Sequence, residues 1–133
     1  MIKVIKEVAK YVYKTLGPGH AEAIYRDAMS LELQERGFKV KTEAPISIKF
    51  KTKKGKNMIV GSGKVDLLLE KSNKFIVVEL KTVGKILREK GKTNKEDTRE
   101  YIQLQKYLSA LDIKKGMLIN FPFPLEKEPE CII

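Results

Sequence analysis

Residues 63–82 read GKVDLLLEKSNKFIVVELKT, and the reading of this stretch decides the fold. Two apolar runs, Val65 to Leu69 and Phe75 to Val78, flank the polar turn Lys71-Ser72-Asn73-Lys74, which predicts an antiparallel hairpin of strands 63–70 and 75–82. Side chains alternate across a strand, so Phe75, Val77, Glu79 and Lys81 share one face, while Ile76, Val78 and Leu80 share the other. A carboxylate and an ammonium thus stand side by side at the end of an otherwise apolar strand. Asp66 is a lone acid in the preceding strand. Such acids are costly to bury unless a partner, a hydrogen bond or a metal compensates. Asp66 and Glu79 could together hold a divalent metal. Equally, either could pair with Lys81, or both could sit at strand ends and see water.

Upstream, residues 2–16 read as an amphipathic helix with Ile5, Val8, Val12 and Leu16 at helical spacing, stopped by Gly17-Pro18-Gly19. A second helix is predicted from His20 to Arg36, with Ala21, Ile24, Ala28 and Leu31 as its apolar stripe. Glu22, Tyr25, Arg26 and Met29 fall on an adjoining stripe, where Glu22 and Arg26 are spaced as a surface ion pair. Residues 38–43 and 46–51 read as strands separated at Ala44-Pro45, and 51–56 as a basic hairpin tip returning through Asn57 to Val60. Downstream, Glu89 to Asp97 is polar. A third helix runs from Thr98 to Leu111, buried through Tyr101, Leu104, Leu108 and Leu111, with Gln103 and Tyr107 on a neighbouring face. A short strand, 117–121, follows, and Pro122 and Pro124 bar its extension as a central strand. The remainder reads as an extended tail. Strand 75–82, helix 98–111 and strand 117–121 form a βαβ crossover, so the class is α/β with a mixed sheet.

At 133 residues, 42% hydrophobic and 33% charged, the chain fits one globular domain over 1–133. No apolar run approaches the roughly 20 residues of a membrane span, and the charged N-terminus carries no apolar leader, so a cytoplasmic protein is expected. One cysteine, Cys131, excludes an intrachain disulfide and a four-cysteine metal site. A net charge of +10 favours an anionic partner, nucleic acid first, against the blander reading of a lysine-rich soluble surface.

Asp66 followed by Glu79-Leu80-Lys81, in an α-β-β-β-α-β order behind an extra N-terminal helix, resembles the PD-(D/E)XK nucleases and their restriction-endonuclease-like fold, with Val65 where that motif has proline. Gly19-x-x-Glu22-x-x-Tyr25, then Gln103-Leu-Gln-Lys-Tyr107-Leu108 and Gly116-Met-Leu-Ile-Asn-Phe121, are similar to the GxxExxY branch of the same superfamily. The resemblance implies a metal-dependent nuclease. Asp66 and Glu79 would ligate Mg²⁺ or Mn²⁺ with the Leu80 carbonyl, and Glu22 would approach the metal from its helix. Lys81 would position or activate water or stabilise phosphate charge, and Gln103 would brace the site or touch the scissile phosphate. Tyr25 and Tyr107 are either site residues or core residues with satisfied hydroxyls. Lys51, Lys53, Lys54 and Lys56 on the hairpin, with Lys85 and Arg88 after the motif, would track a DNA backbone without reading sequence. His20, the one histidine, reads as a surface residue at a helix start rather than a ligand.

The leading function is metal-dependent DNA hydrolysis; one version of it is structure-selective, in the manner of archaeal Holliday-junction resolvases, which act as dimers, while duplex and single-stranded substrates stay open. Phe121, Phe123, Leu125, Ile132 and Ile133 are candidates for a homodimer interface or for packing on their own domain. The alternatives are a non-catalytic nucleic-acid-binding module on a nuclease fold and, more remotely, an interaction subunit of a toxin or mobile-element system.

Overall fold

A computed structural model describes residues 1–84, 86–87, 94–124 and 126–133. Its elements are α1 (Ile2–Leu16), α2 (Glu22–Glu35), β1 (Lys39–Lys51), β2 (Asn57–Lys71), β3 (Lys74–Lys81), a short 3-10 turn (Lys95–Asp97), α3 (Arg99–Leu111), β4 (Gly116–Asn120) and β5 (Glu130–Ile132). The five strands lie in the order β1-β2-β3-β4-β5, antiparallel except for the parallel β3–β4 pair. This is the α/β architecture with a mixed sheet that the sequence predicts, consistent with a restriction-endonuclease-like fold. One core lies between the sheet and α1–α2, the other between the sheet and α3.

The turn after α1 depends on its glycines. Gly17 and Gly19 have φ of 76° and 95°, in the left-handed region that side chains resist. The Tyr25 hydroxyl then donates to the Gly17 carbonyl at 2.6 Å, and the Tyr25 ring lies 4.3 Å from that of Phe121 in a stack. α2 has no basic residue in its last turn; Lys71, from the β2–β3 turn, donates to the Arg36 carbonyl at 2.9 Å instead.

Three expectations change. α2 buries Tyr25, Met29, Ser30 and Leu33, while Ile24 and Leu31 are exposed. The stripe chosen on apolarity alone is therefore rolled outward, because Tyr25, Met29 and Leu33 fill more of the core and the Tyr25 hydroxyl finds a partner. Residues 38–43 and 46–51 are not separate strands: β1 runs through Pro45, which an edge strand tolerates. The tail is not merely extended, since Glu130–Ile132 pairs with β4 as a fifth strand.

β1 and β2 also break the two-residue alternation. Phe38 and Val40 pack toward α1 and α2, yet Ala44 and Ile46, of the same parity, pack toward α3. Leu67 and Leu69 likewise face one way and Val65 the other. Both strands roll over between the Thr42–Leu67 and Ala44–Val65 pairs, where Glu43 has a φ of 49°. Asp66 lies at this roll, between the two cores.

Candidate active site

The β2–β3 ladder runs from Lys71–Lys74 to Leu67–Val78 and ends there. Beyond that point β2 continues against β1 and β3 against β4, so the two strands part at Asp66 and Glu79. Their acids take over the lost ladder bonds. The Asp66 N–H donates to Glu79 Oε1 at 2.8 Å, and the Leu80 N–H donates to Asp66 Oδ2 at 2.8 Å. Each of these contacts uses one carboxylate oxygen and leaves the second outside the bond. This is how two acids survive in apolar strands: the opening needs acceptors, and they supply them.

Glu22, in the first turn of α2, completes an acidic group. Burial raises its pKa first and the Asp66 charge second, against the pull of Lys81 and Arg26. Asp66 is also raised by burial, although the Leu80 amide and Lys81 oppose it. Glu79 is 5% exposed, and burial followed by the Asp66 charge pushes its carboxyl up to about 7. Among the described residues, none of these three acids has a lysine or arginine within ion-pair distance.

Lys81 donates to Gln103 Oε1 at 3.3 Å, and Gln103 Nε2 donates to the Tyr107 hydroxyl at 3.1 Å. α3 thus braces Lys81 beside the acids. Of the two tyrosines, Tyr25 is a buried core residue with its hydroxyl satisfied, whereas Tyr107 is half-buried at the site's rim, its hydroxyl raised by burial and then by the Glu79 charge. His20 is half-buried, with Nε2 2.9 Å from the Leu16 carbonyl.

The expected Glu22–Arg26 pair does not form. Arg26 reaches instead to Asp27 at 3.1 Å and across to Glu43 at 3.0 Å, because the roll of β1 brings Glu43 under the helix. Lys51, Lys53, Lys54 and Lys56 lie exposed on the far end of the β1–β2 hairpin, apart from the acids. Lys85, Arg88 and Leu125 lie outside the described residues. Phe121 and Ile132 pack in the chain's own core, leaving Phe123 and Ile133 exposed.

Two residues outside the expected site set hold the segment after Lys81, Asn120 from within the Gly116–Phe121 motif and Glu130 from no motif at all. Buried Asn120 accepts from the Val83 N–H at 3.0 Å and donates to the Gly84 carbonyl at 3.1 Å and to Glu130 Oε1 at 2.9 Å. Glu130 accepts from the Ile86 and Leu87 amides at 2.7 and 2.9 Å. No periodicity in the sequence reveals this network, because Asn120 and Glu130 meet only through the β4–β5 pairing.

Does this donor set suit a hard divalent cation? Among the described residues, no three His, Cys, Asp or Glu side chains form a ready-made cage. The proposed set of Glu22, Asp66 and Glu79 is not closed, since two of its members turn toward backbone amides. The chemistry does fit: carboxylate oxygens, half-buried on Glu22 and Asp66 and buried on Glu79, mutually repelling and held above their ordinary pKa, are what a cation would relieve.

Among curated proteins no sequence matches. Four chains of solved structures do. One is the crystal structure of SSO0001, 22% identical over 98% of this chain, with a TM-score of 0.52. That likeness concerns the fold alone, and this chain spans 65% of the SSO0001 chain. The sequence pattern of the PD-(D/E)XK nuclease superfamily matches residues 1–131. With an α/β fold of the required order and Asp66, Glu79 and Lys81 drawn together where β2 and β3 part, the chain belongs to the PD-(D/E)XK nuclease superfamily.

Proposed function

We propose that residues 1–133 form one metal-dependent nuclease domain that hydrolyses DNA phosphodiester bonds with preference for branched structure, and that it belongs to the GxxExxY branch. The observation that carries this reading is the parting of β2 and β3 at half-buried Asp66 and buried Glu79, two acids without a cation partner among the described residues, beside Lys81. Asp66, Glu79 and the Leu80 carbonyl would hold Mg²⁺ or Mn²⁺, with Glu22 at its edge. When bound, such an ion lowers the pKa of water and neutralises charge on the phosphate. Lys81 sets its ammonium toward the same phosphate, and Gln103 fixes the direction of that ammonium. The Asp66–Leu80 bond holds the Leu80 amide and its acid in fixed relation, so little reorganisation accompanies the reaction.

The test is cleavage of labelled duplex, single-stranded and four-way-junction DNA with Mg²⁺ or Mn²⁺, by wild type and by Glu79→Gln, in which an amide oxygen still accepts from Asp66. Metal-dependent cutting by wild type, lost in the variant, is the expected result. A second reading, a non-catalytic nucleic-acid-binding module, draws on the absence of a ready-made cage among the described residues. Calorimetry separates the two, because a module without chemistry takes up no Mn²⁺ that depends on Asp66 and Glu79.

A further inference from the structure

From Ser47 to Val60 every residue except Thr52 is exposed, so the outer halves of β1 and β2 leave the domain as a two-stranded arm. Its tip is well formed. The Thr52 N–H donates to the Lys56 carbonyl at 2.9 Å, the Lys56 N–H donates to Thr52 Oγ1 at 3.0 Å, and Gly55 turns the chain with a φ of 94°. Lys49, Lys51, Lys53, Lys54 and Lys56 would suffice to keep such an edge soluble. Yet Ile48, Phe50, Met58, Ile59 and Val60 stand between them, from 42% to 64% exposed. Phe50 and Met58 are register partners across the arm, and the register slips by one residue between Ile48 and Lys49. At the arm's root a groove of about 550 Å³ lies against α3, lined by Ile48, Arg99, Ile102, Gln103, Lys106 and Tyr107. Gln103 is the residue that holds Lys81, so the groove leads from the acids toward the arm.

We propose that the arm and this groove bind nucleic acid whose bases are already unstacked, as in a single strand or a fork. The lysines meet phosphates, and Phe50 and Met58 lie against base faces. This deepens, and rests on, the nuclease reading of the site. A polyanion is the occupant that suits the lysines, whereas a second copy would bring five more lysines against them. Open bases suit the apolar side chains, because in an intact duplex the base faces are covered and must be unstacked first.

The test is binding without cleavage, in EDTA. The affinities of a forked and a fully paired DNA of the same sequence are compared for wild type and for Phe50→Ser/Met58→Ser, whose side chains are exposed and outside both cores. Wild type should prefer the fork, and the double variant should lose about 10-fold or more of that preference, given roughly 5- to 150-fold per stacked base. Phe50→Trp gives a second readout: the chain has no other tryptophan, and its emission should be quenched by a single strand. Equal affinity of wild type for fork and duplex, an unchanged preference in the double variant, or an unquenched tryptophan would each overturn the proposal. So would a dimer that the double variant converts to monomer, which would assign the arm to self-association. A fork preference in a protein that never cuts sinks the nuclease reading alone; cutting without fork preference sinks the arm alone.

Discussion

Glu79 carries a consequence that pH can expose. Its carboxyl titrates at about 7 in the folded chain against 4.5 when exposed. Between these values the folded state keeps a proton that the unfolded chain has lost, so stability is full below about 4.5 and falls as pH rises through about 7. The loss is on the order of 3 kcal/mol. Melting in EDTA across this range should show wild type losing ground to Glu79→Gln as pH rises; parallel curves would mean the acid is not held protonated. Lys81→Met should lower cleavage about 100-fold while DNA affinity changes little, the signature of a group that acts on developing charge. The hairpin pattern makes the nearness of Asp66, Glu79 and Lys81 legible in sequence, and the family likeness supplies the roles proposed for them. Glu22 becomes legible only through the family likeness. The Arg26–Glu43 pair does not, because nothing in the sequence announces a glutamate with left-handed backbone inside a strand.

Among the elements, α2 shows where periodicity misleads. Two stripes compete on that helix, and side-chain volume together with a hydroxyl partner decides for Tyr25, Met29 and Leu33. Tyr25→Phe strands the Gly17 carbonyl and should cost about 1–3 kcal/mol, read as a lower urea midpoint with an unchanged slope. The approach of α3 to β4 is equally tight: a Cβ on Gly116 would stand 2.8 Å from Leu108 Cδ1 and 3.1 Å from Leu104 Cδ1. Gly116→Ala should therefore destabilise by about 1–3 kcal/mol and push α3 outward, weakening the Lys81–Gln103 contact; unfolding and cleavage measured together would show both losses. The hairpins, the helix stops and the parallel crossover are legible because turn chemistry and periodicity are local. β5 is not, since three residues pair only because β4 is already in place.

For the whole molecule, net charge points to an anionic partner but cannot say how the surface is divided. The structure separates a small acidic opening from a basic arm, and two families of side chains that are mixed in sequence become two regions in space. β1 is also an outer strand, with Lys39, Lys41, Lys49 and Lys51 exposed along it. In colloidal terms, this row is a repulsive barrier guarding unspent backbone donors and acceptors. Salt collapses the barrier, since the screening length shrinks from roughly 10 Å at 0.1 M to roughly 3 Å at 1 M. Light scattering should therefore find the chain dispersed in dilute buffer and clustering in concentrated NaCl, with Lys49→Gln/Lys51→Gln moving the onset to lower salt. A chain that stays dispersed throughout would mean that the edge is guarded by shape rather than by charge. A polyanion lying along the row would cancel the same barrier, so crowding of copies is to be sought first on nucleic acid.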